Sequence, residues 1–73
     1  RLDVRLAELF VRSLKRGDLK IDKTHAELAA DVGSSREVVS RVLRDFMHRG
    51  LISSSRGHTE ILDAEAMIAL SSQ

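Results

Sequence analysis

The sequence predicts a mainly α-helical domain finished by a small β-hairpin. Three observations carry that expectation. Apolar residues recur at helical spacing in three stretches, each closed by a glycine: Gly17, Gly33 and Gly50. The second and third stretches are separated by only a short glycine-containing turn. Beyond Gly50, two short runs bearing apolar residues flank Arg56-Gly57, the composition of a tight hairpin turn.

The first helix is expected from residue 3 to about residue 16. Leu6, Leu9, Phe10 and Leu14 recur at the spacing of one helical face. Asp3 is the expected N-cap, because a carboxylate accepts from free backbone N–H groups. Lys15 and Arg16 complement the negative end, and Gly17 supplies a left-handed stop. In "DLKID", Leu19 and Ile21 alternate with charge, which predicts a short extended segment at a sheet edge. Lys20 and Lys23 in and beside it are expected to face solvent.

"THAELAADVG" reads as a second helix. Thr24 and Glu27 have the spacing of a capping box, in which hydroxyl and carboxylate each satisfy one orphan N–H. Leu28 and Val32 form the buried stripe, and Gly33 ends it. Ser35 then caps a third helix expected to run to Arg49, with Gly50 as its stop. Helix, tight turn and helix in this order is a helix-turn-helix pattern. Leu51, Ile52, Ile61 and Leu62 supply the apolar content of the following hairpin. Asp63 caps a short last helix packed through Met67, Ile68 and Leu70. The order is helix, short strand, helix, helix, two-stranded wing, short C-terminal helix: a winged helix-turn-helix over residues 1–73.

The third helix divides into two faces. At about 100° per residue, Val39, Val42, Leu43 and Phe46 fall within an arc of about 100°. Arg36, Glu37, Ser40, Arg41 and Arg44 fall opposite, so they point away from the core together. His48 falls beside Arg41 and Arg44. From Gly33 to His58 five arginines stand against two acids, a net +3, although the whole chain carries only +1. A concentration of positive charge of this kind suits an anionic partner. The DNA major groove admits an α-helix, and there arginine bridges guanine O6 and N7 while glutamate accepts from the cytosine amino group. A glutamate facing phosphates is repelled by them, so Glu37 suggests base readout or positioning of Arg36. Glu37 also suits the helix dipole regardless of any ligand.

Other function classes fare worse. His25, His48 and His58 match no two-histidine helical metal motif, and no cysteine assists. There is no Gly-x-Ser-x-Gly elbow, so serine hydrolysis is rejected and no enzyme is expected. RNA binding would rely on aromatics, and Phe10 and Phe46 both lie in apolar stripes. The alternative is a protein-interaction winged helix using the third-helix face, for which Val38 and Met47 leave room. No apolar run approaches the roughly 18 residues of a membrane span, so no membrane partner is expected. Lack of cysteine suits a reducing, cytoplasmic setting. The chain opens without Met on a helical pattern and is expected to be a domain of something longer.

The stretch "THAELAADVGSSREVVSRVLRDFMHRGLI" resembles the C-terminal DNA-binding domain of bacterial transcription regulators of the Crp/Fnr family. The likeness runs from "RLAELF" through "THAELA" and "GSSREVVSRVL" to the wing. It implies sequence-specific binding of double-stranded DNA, with the recognition helix over 35–49 and the wing over 53–60. It implies that Arg36, Glu37 and Arg41 contact base edges. Thr24, His25, Ser35, Ser40, Arg44, Arg56, Gly57 and His58 are the expected contacts to the DNA backbone. It further implies a homodimer on a palindromic operator in the full-length protein, a monomer for the isolated domain, and RNA polymerase as a candidate partner. No cofactor is expected in this domain. The effector stays open, because cyclic nucleotides, iron–sulfur clusters, haem and 2-oxoglutarate are all used in the family. Two departures stand out: His25 and Ala26 replace longer side chains that touch phosphate in some members, and Val38 stands where threonine is common.

Overall fold

The computed structural model describes residues 1–73. Its elements are α1 (Leu2–Lys15), β1 (Lys20–Ile21), α2 (His25–Val32), α3 (Arg36–His48), β2 (Ile52–Ser55), β3 (His58–Ile61) and α4 (Ala64–Ser71). The expected order of elements holds throughout.

Local chemistry explains the helix boundaries. At α2, Thr24 Oγ1 accepts from the Glu27 N–H at 3.1 Å, and Glu27 Oε1 accepts from the Thr24 N–H at 2.8 Å. Both halves of the capping box are therefore made. Ser35 Oγ accepts from the Val38 N–H at the start of α3, and Asp63 Oδ1 accepts from the Ala66 N–H at the start of α4. Gly33 lies at φ +69°, where its N–H reaches back to Ala29 and Ala30, and this closes α2 tightly enough for α3 to begin three residues later. A Cβ there would meet nothing closer than Arg5 Nη2 at 3.6 Å, so backbone angle and not space selects glycine.

One expected cap is wrong. Arg1, not Asp3, occupies the N-cap position of α1, with no side-chain cap bond. Asp3 sits in the first turn, where the Arg1 guanidinium donates to it at 2.9 Å. That bond holds the Asp3 carboxyl below its ordinary pKa.

The three strands form one antiparallel sheet in the order β1-β3-β2. The hairpin pairs Ile52 with Ile61 and Ser55 with His58. The segment around Lys20 and Ile21 pairs with Glu60 and Thr59, so β3 is central and the buried Thr59 is enclosed on both sides.

The core gathers Leu6, Phe10, Leu28, Val39, Leu43, Phe46 and Met67, all fully buried. Phe10 and Phe46 meet edge to face with centroids 6.4 Å apart, joining α1 to α3. The α1 surface is buried more widely than one stripe: Val4, Ala7 and Val11 are covered too, because α1 makes its most extensive contact with α4. Leu9 and Leu14, expected on the buried face, are only partly covered. Two further expectations fail. Leu62 and Ile68 are 58% and 48% exposed, so neither packs as anticipated. Leu62 follows the last strand residue on the side away from the core, and Ile68 faces away from the Met67 and Leu70 side of α4.

Candidate nucleic-acid interface

The division of α3 into two faces is realised. Val39, Leu43 and Phe46 are buried and Val42 half-buried, while Arg36, Glu37, Arg41 and Arg44 are exposed and Ser40 half-buried. The five outward residues line one shallow depression of about 390 Å³. None of the three arginines forms an ion pair within the chain, and neither does Glu37. All four heads are thus presented to solvent without an internal partner.

Arg36 also lines a second depression of about 420 Å³ between α2, α3 and the wing tip. Its other walls include Thr24 and His25 from α2, Met47 from α3, and Arg56 and Gly57 from the wing. The structure therefore brings together elements far apart in sequence: Arg36, Arg56, Thr24 and His25 border one concavity. Arg36 and Arg56 are its two cations, and no acid lines it. Such a concavity concentrates positive potential.

Thr24 Oγ1 and Ser35 Oγ each use a lone pair to accept a backbone N–H. The Ser35 hydroxyl proton is left to donate outward, so at Ser35 helix capping and contact with an anion are compatible. Glu27, whose carboxylate accepts the Thr24 N–H and interacts with the Thr24 hydroxyl, is held below its ordinary pKa and stays charged in its capping role.

Three expected contacts sit differently from the rest. His25 and Ser40 are bonded to each other, with Nδ1 and Oγ 2.7 Å apart. His58 lies outside the concavity at the wing tip; its Nδ1 meets Asp22 Oδ1 at 2.7 Å and ties the wing to the segment after β1. Lys23, exposed as expected, is paired with Asp31. Sequence reading left out Met47, Ser54 and Ser55 as walls of the second depression. Met47 was findable, because it falls on the same side of α3 as Arg36 and Ser40. The wing serines were not, since only the docking of the hairpin against α3 places them there.

No three His, Asp or Glu side chains converge as metal ligands. No helix is long and apolar enough to cross a membrane.

Comparison with known proteins places this geometry. The Crp-like helix-turn-helix domain family matches residues 4–70. The transcriptional regulator SdrP of Thermus thermophilus is 36% identical over 62 residues, covering 85% of this chain and 31% of that protein. A transcriptional regulator of the Crp/Fnr family from Eubacterium rectale superposes with a TM-score of 0.92 at 35% identity, over 100% of this chain and 34% of its own. The catabolite activator protein of T. thermophilus does so with a TM-score of 0.87 at 31% identity, over 94% and 33%. The chain spans about a third of the length of these relatives.

Proposed function

The chain belongs to the Crp-like helix-turn-helix domain family, and from that premise we propose how it serves DNA-binding transcription regulation. α3 enters the major groove of double-stranded DNA. Arg36, Glu37 and Arg41 read base edges, Arg36 on guanine and Glu37 on cytosine. Thr24, Ser35, Arg44, Arg56 and the backbone at Gly57 hold phosphates on either side of the groove. One observation carries this reading: the outward face of α3 offers three arginines and a glutamate with no internal partner, along one depression. Buried charge pairs would have consumed these groups. Left free, they supply the bidentate donors and the acceptor that base edges require.

The longer protein is a cytoplasmic homodimer whose two copies read a palindromic operator, with half-sites about one helical turn apart. RNA polymerase is its further partner. Alone, the 73-residue chain is a monomer and binds one half-site weakly. Protein docking through α3 is not favoured, because Met47, 36% exposed, is the only large apolar side chain open on that helix.

The test is an NMR titration of the isotope-labelled chain with a guanine-containing palindromic duplex and with a scrambled duplex at matched salt. Larger shifts over Ser35–Arg44 and at Arg56–Gly57 with the palindrome are expected. Equal small shifts with both duplexes would reduce the interaction to unspecific charge. An unshifted α3 would overturn the reading.

A further inference from the structure

His25 opens α2 and Ser40 lies in the middle of α3, yet their side chains meet at 2.7 Å. Both residues are half-buried, and both border the cationic surface: His25 in the depression shared by Arg36 and Arg56, Ser40 in the one shared by Arg36, Glu37, Arg41 and Arg44. The bond admits three arrangements of protons. If neutral His25 accepts at Nδ1 from the Ser40 hydroxyl, only Nε2–H remains to donate outward. If neutral His25 donates from Nδ1, the serine proton is free but Nε2 turns a lone pair outward. If His25 is protonated, Nδ1–H donates to Ser40 Oγ, and both the serine hydroxyl and Nε2–H are left as donors, beside a positive charge.

A polyanion selects among these. The third arrangement alone offers two outward donors and a cation, and charge-assisted bonds to phosphate are the stronger ones. Arg36 from α3 and Arg56 from the wing are like charges at the same concavity. The amino-terminal end of α2 presents its positive dipole to His25. Among acids, the Glu27 carboxylate is engaged by the Thr24 N–H, and Glu37 lines the neighbouring depression rather than this one. Asp31 is held by Lys23, and Asp22 by His58. Arriving phosphates bring negative charge to this surface and favour the protonated, double-donor arrangement.

We propose that DNA binding by this domain takes up one proton at His25, the His25–Ser40 pair then serving as a charged double donor to the DNA backbone. The inference rests on DNA being the ligand. Its consequence is that binding tightens as pH falls through the histidine range, independently of base sequence.

The probe is a short, mixed-sequence, fluorescently labelled duplex at fixed low salt, because phosphate contacts do not depend on sequence. Between about pH 8 and about pH 5.5 the wild-type Kd is expected to fall roughly three- to tenfold, as protonation adds a charge-assisted donor to phosphate. His25→Gln should lose most of that change, whereas His48→Gln should keep it. In parallel, the ring signal of His25 should titrate at higher pH with the duplex than without. A pH dependence equal in His25→Gln and wild type, or an unmoved His25 midpoint, would overturn the proposal while leaving DNA binding intact. No binding by wild type at either pH would instead sink the DNA reading on which it stands.

Discussion

Arg36 and Arg44 share one face of α3, yet their loss should read out differently. Arg36 lies in the first turn and borders both depressions, the placement from which we propose that it reads base edges. Arg36→Ala should cost about 1–3 kcal/mol on the specific site and relax preference at one base pair. Arg44 lies two turns on, where its proposed contact is a phosphate. Arg44→Ala should weaken binding to all sequences alike and lower the slope of log K against log salt by about one. Competition binding against a set of single-base variants at two salt concentrations separates the two; an Arg36→Ala variant with intact discrimination would contradict its role. Glu37 needs a different check, because a helix N-terminus welcomes an acid anyway. Glu37→Gln should change which base is tolerated at one position of a selected-site library. An unchanged preference would leave Glu37 with only its favourable interaction with α3.

At the scale of elements, helix starts were legible and faces less so. Thr24, Ser35 and Asp63 act on N–H groups three residues ahead, so their chemistry is written locally. Asp3 had the same look, but the chain before it supplied Arg1 as a guanidinium partner. Burial depends on what arrives from elsewhere. The wide burial of α1 needed α4, and β1 needed β3 to become part of a sheet. The candidate site divides likewise. Its α3 half followed from helical periodicity, whereas the concavity with Met47, Ser54 and Ser55 needed the wing docked against α3. The capping box also gives an acid test. Glu27 is held below its ordinary pKa of 4.5 in the folded chain, first by the hydrogen bond from the Thr24 backbone. Its contribution is therefore complete above the unfolded value and is lost as pH falls through the lower folded one. Denaturant midpoints followed below about pH 5 should decline more steeply for wild type than for Glu27→Gln, which keeps an acceptor but cannot titrate. Thr24→Ala should cost about 1 kcal/mol at neutral pH by removing the hydroxyl cap.

For the whole molecule, a single core joins every helix, so its stability is cooperative and thin. A domain of this length has about 4–11 kcal/mol to lose. Phe46 is fully buried and makes the edge contact with Phe10. Phe46→Ala should cost about 3–5 kcal/mol, enough to leave a large unfolded fraction near physiological temperature. Thermal melts followed by circular dichroism would show this as a lower and broader transition.

The side chains of Arg1 and Gln73 are hydrogen-bonded at 3.2 Å. The polypeptide is in effect a nearly closed ring, and the order in which its elements are strung is separable from the way they pack. A circular permutant that joins Gln73 to Arg1 through a few glycines and serines, and reopens the chain in the exposed turn at Gly17–Asp18, should keep the native circular dichroism spectrum and a cooperative melt. Neither Gly17 nor Asp18 lines the concavity proposed to face DNA, so the permutant should keep its duplex affinity. Loss of the cooperative melt would show that the continuous link from α1 to β1 is itself required.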